Sequence, residues 1–126
     1  MVASIVTRTI LLIDDDPIVL KSFKKLLIHE GYQVIPATSY DEAIAAIRDK
    51  DFDLVLSDIR MPRKDGVETV AEIQNSLKAS GKKDLPIIFI TGYAEYGRQR
   101  HADFLGETLY KPIDSQRLLQ TIREYL

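Results

Sequence analysis

The fold is decided by the segment from Thr9 to Glu30, which reads TILLIDDDPIVLKSFKKLLIHE. Its first five residues form an apolar run that ends at three aspartates, and such a run is typical of a strand buried on both faces. Apolar residues then recur at helical spacing from Pro17, with Asp16 as the expected N-cap and Gly31 as the expected stop. The segment therefore predicts a strand followed by a helix.

The same alternation continues to the end of the chain. Further strands are predicted at 32–36, 53–57, 85–90 and 108–110, and further helices at 41–49, 66–79, 93–102 and after Asp114. Ser39 is the expected cap of the second helix, with Glu42 three residues on. Strand and helix repeated five times predict an α/β fold, a parallel sheet with helices on both faces. No linker divides the chain, so we expect one domain over 1–126, with 1–8 as an N-terminal extension.

Composition excludes several classes of protein. The 126 residues are 45% hydrophobic and 29% charged, an ordinary globular mixture, and the net charge of -2 gives no sign of a nucleic-acid binder. The absence of cysteine removes disulfides, thiolate metal sites and cysteine nucleophiles. No stretch approaches the run of about 18 apolar residues that spans a membrane. We therefore expect no membrane partner, whereas the expectation of a cytoplasmic protein rests mainly on the family resemblance described below.

Polar side chains follow four of the predicted strands. In an open parallel sheet the functional site lies beyond the carboxyl ends of the strands, so these residues are expected at one edge. They are Asp14, Asp15 and Asp16 after the first strand, Asp58 after the third, Thr91 after the fourth and Lys111 after the fifth. Each residue alone has a commoner structural explanation, as a helix cap, a turn former or a loop residue. Their joint placement favours a site.

The chemistry of this set points to a cation and a phosphoryl group. Clustered carboxylates repel one another unless a cation offsets their charge, and oxygen ligands without His or Cys suit Mg²⁺. One aspartate could attack phosphorus and form an acyl phosphate. A lysine ammonium and a threonine hydroxyl could contact the phosphoryl oxygens. The predicted site is therefore a magnesium-assisted phosphoryl-transfer site.

Four motifs run in order along the chain: ILLIDDDP at 10–17, DLVLSDIRMPRKDG at 53–66, IFITG at 88–92 and YKP at 110–112. Together they resemble the receiver domain of two-component response regulators, and the resemblance extends from Thr9 to Leu126. It implies a doubly wound (βα)5 flavodoxin-like fold, a three-layer sandwich with parallel strand order 2-1-3-4-5.

The resemblance also implies a role for each site residue. Asp58 would be the phosphoacceptor, Asp15 a direct Mg²⁺ ligand and Asp14 its acidic partner, acting through water. The backbone carbonyl of Arg60 would be the third protein ligand. Lys111 would pair with the phosphoryl group, and the peptide bond that follows it, to Pro112, is often cis in this family. Thr91 would be the switch hydroxyl, and Gly66 would allow a tight turn into the third helix.

The implied function is phosphorelay signalling. A sensor histidine kinase or histidine phosphotransfer protein would supply the phosphoryl group to Asp58, and hydrolysis would remove it, so the chain would catalyse only its own phosphorylation and dephosphorylation. Phosphorylation would switch the face formed by the predicted fourth helix, the fifth strand and the last helix, which an output domain, a target protein or a second copy could contact.

One position departs from the family pattern. Receivers usually carry an aromatic residue three positions before the lysine, where this chain has Thr108. Tyr110 is the nearest aromatic, but its side chain should point away from that of Leu109 on a strand. This variant resembles receivers attached to hybrid sensor kinases. His29 and His101 are expected on the surface.

Three other functions stay open to different degrees. A pseudo-receiver, which binds partners without being phosphorylated, is kept open by Thr108 and opposed by the intact acidic set. A phosphoaspartyl phosphatase would need a second carboxylate two residues after Asp58, where the chain has Arg60. A nucleotide-binding domain would need a glycine-rich loop after the first strand, and none is present.

Overall fold

The structure is a computed structural model that describes residues 7–61, 65–92 and 106–126. The strands in these ranges are β1 Thr9–Ile13, β2 Gln33–Ala37, β3 Leu54–Asp58, β4 Ile87–Thr91 and β5 Glu107–Tyr110. The helices are α1 Pro17–His29, α2 Tyr40–Asp49, α3 Gly66–Ala79 and α4 Ser115–Tyr125. The helix predicted at 93–102 and His101 lie outside the described residues. None of the helices that the structure describes is long and apolar enough to cross a membrane.

The five strands form one parallel sheet in the order β2-β1-β3-β4-β5, which confirms the predicted fold class. The register places Ile13 beside Ser57, Asp58 beside Ile90, and Thr91 beside Tyr110. The carboxyl ends of β1, β3, β4 and β5 therefore lie next to one another. In an open parallel sheet this is the edge where a functional site is expected.

Two apolar clusters, one on each face of the sheet, make the core. Consecutive strand residues alternate between them because side chains on a strand point to opposite faces. The first, here called the α2/α3 cluster, joins Leu11, Ile13, Val55 and Phe89 to Ala43, Ile44, Ile47, Val67, Val70, Ile73 and Leu77. The second, here called the α1/α4 cluster, joins Ile10, Leu12, Leu54, Leu56, Ile88 and Ile90 to Leu20, Leu27, Leu118, Leu119 and Ile122. The result is the predicted three-layer sandwich.

A side-chain cap begins each described helix. The caps accept a hydrogen bond from a backbone N–H of the first turn, and they are Asp16, Ser39, Asp65 and Asp114. At α2 the sequence predicted that Ser39 and Glu42 cap the helix together, and the structure shows only the Ser39 part of that arrangement. The Ser39 hydroxyl accepts from the N–H of Glu42 at 3.2 Å, but the Glu42 carboxylate accepts from the N–H of Thr38 at 2.8 Å and from the Thr38 hydroxyl. These bonds lower the pKa of Glu42.

Two glycines lie where the backbone passes very close to a neighbouring strand. A Cβ on Gly66 would lie 1.8 Å from the carbonyl oxygen of Asp58, and a Cβ on Gly106 would lie 2.2 Å from the carbonyl oxygen of Ile87. Only a residue without a side chain fits at either distance. The need for Gly66 is therefore this close approach of α3 to the end of β3, rather than a turn with unusual dihedral angles.

The edge strand β2 contains a proline. The N–H of Gln33 donates to the carbonyl of Arg8, and the carbonyl of Ala37 accepts from the N–H of Asp14. Residues 33, 35 and 37 of β2 therefore face β1, and Pro36 has its nitrogen on the outer edge. Proline is tolerated there because it removes no hydrogen bond of the ladder.

Candidate functional site

Three carboxylates meet at the ends of β1 and β3. Asp14 and Asp15 follow β1 directly, and Asp58 is the last residue of β3. Oxygen atoms of the three side chains lie within 4.8 Å of one another. Asp14 and Asp58 are only 4% and 8% exposed, whereas Asp15 is exposed. The sequence-predicted acidic residues are therefore brought together, with two of them buried and one open to solvent.

Burial makes this cluster electrostatically unfavourable by itself. Loss of solvation raises the pKa of the Asp14 carboxyl from 3.8 to about 6. A hydrogen bond from the N–H of Asp16 at 2.9 Å lowers this pKa, but by less than burial raises it. Burial also raises the pKa of Asp58, and the nearby Lys111 ammonium and the N–H of Arg60 oppose that rise. Burial therefore disfavours the ionised form of both carboxyls relative to water, and additional positive charge nearby would offset that effect.

The donor atoms fit a hard divalent cation. Within the described part of the chain the cluster offers carboxylate oxygens from Asp14, Asp15 and Asp58, with no imidazole or thiolate among them. Mg²⁺ prefers oxygen ligands and takes only one or two protein carboxylates while keeping several waters. A divalent ion would also offset the charge that burial makes costly. The residues present are thus compatible with the group that the resemblance implies.

The fourth and fifth strands bring a cation to the same place. The Lys111 ammonium lies 3.9 Å from the Asp58 carboxylate, and about a third of the lysine side chain is exposed. The N–H of Lys111 donates to the carbonyl of Thr91 at 2.8 Å, which fixes the end of β5 against the end of β4. Thr91 is buried, and the peptide bond between Lys111 and Pro112 is cis, as the resemblance implies.

The segment after Asp58 is anchored on both sides of Arg60. Ile59 and Met61 are buried in the α2/α3 cluster, while Arg60 is exposed. The N–H of Ile59 donates to the carbonyl of Ile90 at 3.2 Å, and the N–H of Arg60 approaches the Asp58 carboxylate at 3.3 Å. The backbone of Arg60 is therefore held beside the carboxylate cluster.

Sequence reasoning did not single out Ser57. Its side chain is 1% exposed, and its hydroxyl donates to the carbonyl of Asp58 at 2.9 Å. One signal was available, because Ser57 is a hydroxyl residue inside the otherwise apolar run LVLS that leads to Asp58. A buried hydroxyl in such a run needs a hydrogen-bond partner.

On β5, where Thr108 replaces the aromatic residue usual in the family, the side chains alternate between the two faces as predicted. Leu109 is buried in the α1/α4 cluster, and Tyr110 is 43% exposed. Thr108 is partly exposed on β5. His29 lies at the end of α1 beside Glu30 with its side chain 85% exposed, so it is a surface residue as predicted.

Comparison with known proteins agrees with this fold. Residues 10–123 match the model of the response regulator receiver domain, and the chain belongs to that family. Receiver domains are phosphoacceptor modules of phosphorelay signalling that bind Mg²⁺ and interact with kinases or phosphotransfer proteins and with output domains.

Individual relatives show the range of proteins that carry such a domain. The chain is 35% identical to the transcriptional regulatory protein GlrR of Escherichia coli K12 over 119 residues, which cover 93% of this chain and 26% of GlrR. It is 29% identical over 122 residues to the polar-differentiation response regulator DivK of Brucella ovis, covering 95% of this chain and 97% of DivK. The chain thus spans about a quarter of the length of the first of these relatives and nearly all of the second.

A solved structure of a response regulator superposes closely on this chain. The response regulator protein TrrA of Thermotoga maritima, crystallised in complex with Mg²⁺ and BeF, superposes with a TM-score of 0.83 at 29% sequence identity. The match covers 95% of this chain and all of the TrrA chain.

Proposed function

We propose that this chain accepts a phosphoryl group on Asp58 and that Asp14, Asp15, Thr91, Lys111 and the backbone of Arg60 make the transfer possible. The observation that carries the proposal is the convergence of three carboxylates and one ammonium at the carboxyl edge of the sheet. A buried acidic cluster with raised pKa values is unfavourable for folding, so its presence is easier to understand as a functional site than as a structural one.

Asp14, Asp15, Asp58 and the backbone carbonyl of Arg60 would hold Mg²⁺, with Asp15 as the direct ligand and Asp14 acting through water. Bound there, the ion supplies positive charge that screens the approach of a phosphoryl group to the carboxylates. That positive charge would also oppose the rise in pKa that burial causes at Asp14 and Asp58.

In the transfer, an Asp58 carboxylate oxygen attacks phosphorus and forms an acyl phosphate, while the bond from phosphorus to a histidine nitrogen of the donor breaks and leaves its electron pair on that nitrogen. Lys111 would pair with a phosphoryl oxygen, and the distance of 3.9 Å from its ammonium to the Asp58 carboxylate supports this role. The Thr91 hydroxyl, at the end of the neighbouring strand, would donate to another oxygen. Attack of water on phosphorus later releases phosphate and restores the carboxylate.

The partners follow from this chemistry. A sensor histidine kinase or a histidine phosphotransfer protein would supply the phosphoryl group, and an output domain or a target protein would respond to it. The chain would catalyse no reaction other than its own phosphorylation and dephosphorylation. We place it in the cytoplasm, as a single receiver domain over 1–126 with residues 1–8 as an extension.

A second candidate is a receiver that binds partners without being phosphorylated. Thr108 favours it, because the aromatic residue expected at that position of β5 is missing. The complete acidic set and Lys111 count against it.

The test is the mass of the intact protein after incubation with acetyl phosphate and Mg²⁺, with Asp58→Asn as the matched variant. We expect one added phosphoryl group in the wild type and none in the variant or in EDTA. If the wild type gains no phosphoryl group and its NMR spectrum does not respond to beryllofluoride with Mg²⁺, the interaction module without phosphorylation becomes the better description.

A further inference from the structure

Ser57 is a buried hydroxyl placed one residue before the proposed phosphoacceptor. Its side chain is 1% exposed and lies on the face of the sheet that α3 covers, since neighbouring Leu56 belongs to the opposite α1/α4 cluster. The hydroxyl donates to the carbonyl oxygen of Asp58 at 2.9 Å. An alanine or valine would fill this position of an apolar strand equally well. The hydroxyl of Ser57 is therefore not explained by packing alone.

The first residue of α3 also approaches this carbonyl oxygen closely. A Cβ on Gly66 would lie 1.8 Å from it, so the first residue of the helix packs its backbone directly against the Asp58 carbonyl. The peptide that joins Asp58 to Ile59 is therefore held by a hydrogen bond from Ser57 and by contact with Gly66.

The orientation of this peptide determines where the reacting groups lie. Its N–H, which belongs to Ile59, donates to the carbonyl of Ile90 at 3.2 Å, and in the next peptide the carbonyl of Ile59 accepts from the N–H of Gly66 at 2.8 Å. The next N–H, that of Arg60, approaches the Asp58 carboxylate at 3.3 Å. A rotation of the peptide would move both the Asp58 side chain and the Arg60 backbone.

We infer that Ser57 is a positioning residue for phosphoryl transfer: its hydroxyl fixes the peptide after Asp58 and thereby aims the Asp58 carboxylate. This inference rests on the proposed role of Asp58. In this role Ser57 acts through Asp58, to whose carbonyl its buried hydroxyl donates. Small displacements of a reacting group reduce rates strongly, because the reaction needs near-attack geometry.

The experiment compares Ser57→Ala with Thr121→Val. Thr121 is a second buried hydroxyl that donates to a backbone carbonyl, that of Arg117 at 2.8 Å, but it lies in α4. The rate of phosphorylation by acetyl phosphate in saturating Mg²⁺ is followed by intact mass over a range of acetyl phosphate concentrations. Ser57→Ala is expected to lower the maximal rate roughly tenfold with an unchanged half-saturating concentration, and Thr121→Val to keep the wild-type rate.

Two further measurements separate positioning from simple loss of stability. Amide hydrogen exchange at Ile59 is expected to accelerate in Ser57→Ala more than in Thr121→Val, and Ser57→Thr, which restores a hydroxyl, is expected to recover most of the rate. If Ser57→Ala does not fold, Ser57→Cys repeats the test with a side chain of similar size and a weak donor, and a slow rate is again expected.

The outcomes are distinct. A wild-type rate in Ser57→Ala or Ser57→Cys, or an equal loss of rate in Thr121→Val, overturns the positioning role while leaving Asp58 as the acceptor. No phosphorylation of the wild type would instead refute the proposed function itself. A slow maximal rate confined to the Ser57 variants that lack a good donor supports the inference.

Discussion

Replacing Asp14 by asparagine is expected to stabilise the fold in the absence of Mg²⁺. Asp14 is 4% exposed, and burial raises the pKa of its carboxyl from 3.8 to about 6. The folded protein therefore binds this proton more tightly than the unfolded chain does, and stability falls as the pH rises through this window. Above pH 6 the full penalty applies, which is about 3 kcal/mol at about 1.4 kcal/mol per pKa unit. Asparagine carries no charge and avoids the penalty.

The substitution keeps the local hydrogen bond. The side-chain oxygen of asparagine can still accept from the N–H of Asp16, the contact that Asp14 makes at 2.9 Å. The gain is therefore expected to be about 3 kcal/mol at pH 7 and only about 1 kcal/mol at pH 4.5, where the wild-type carboxyl is largely protonated in the folded state.

The assay is urea unfolding in EDTA at both pH values, followed by far-UV circular dichroism because the chain has no tryptophan. Asp15→Asn is the matched control and is expected to gain less, since the Asp15 side chain is exposed. Added Mg²⁺ should stabilise the wild type more than Asp14→Asn. The reasoning is refuted if Asp14→Asn is no more stable than the wild type at pH 7, or if the gain is the same at both pH values.

Three further predictions concern the same edge of the sheet. Gly66→Ala is expected to destabilise the protein by about 2 kcal/mol or more in thermal unfolding, because its Cβ would meet the Asp58 carbonyl at 1.8 Å. Gly92→Ala is the control and should cost little, because its Cβ would have nothing nearer than 4.0 Å. Lys111→Met should raise the pKa of Asp58 further, because the ammonium that lowers it is removed; a ¹³C-carboxyl NMR titration that finds the pKa unchanged or lowered would contradict this. The affinity for Mg²⁺, measured by thermal shift, should weaken by up to about tenfold per pH unit below pH 6 as protons compete for Asp14, and equal affinity at pH 5 and pH 7.5 would exclude that competition.

Periodicity and caps were sufficient to predict most of the elements. The bounds of α3 agree with the sequence prediction at both ends, because its apolar stripe is regular over the whole helix. The start of β4 was predicted two residues early, at Leu85. In the structure the side chain of Gln74 binds the N–H and the carbonyl of Leu85 at 3.1 and 3.0 Å, so this residue is paired with α3 instead of with a strand. Periodicity alone cannot reveal such a tertiary contact.

The same limit applies within the site. Strand ends and residue chemistry were enough to collect Asp14, Asp15, Asp58 and Lys111, since parallel strands must bring their carboxyl ends together. The bond from Ser57 to the neighbouring carbonyl was missed, although a hydroxyl inside the apolar run before Asp58 was a signal for it. The close approach of Gly66 to the Asp58 carbonyl could not be predicted, because it depends on the position of α3 against the end of β3. Sequence reasoning therefore finds the side chains that strand topology brings together, but it misses the contacts that depend on how a helix packs against the sheet.

The proline in the edge strand limits how copies of this chain can associate. An uncovered strand edge invites another chain to extend the sheet through a row of amide donors. Along the outer edge of β2, Val34 offers a donor but the next outward position is Pro36, which has none. A second copy that joined here would have to leave one of its own carbonyls unpaired in the new ladder. Self-association, if it occurs, is therefore directed away from this edge, and growth of a continuous intermolecular sheet from β2 is opposed by a single residue.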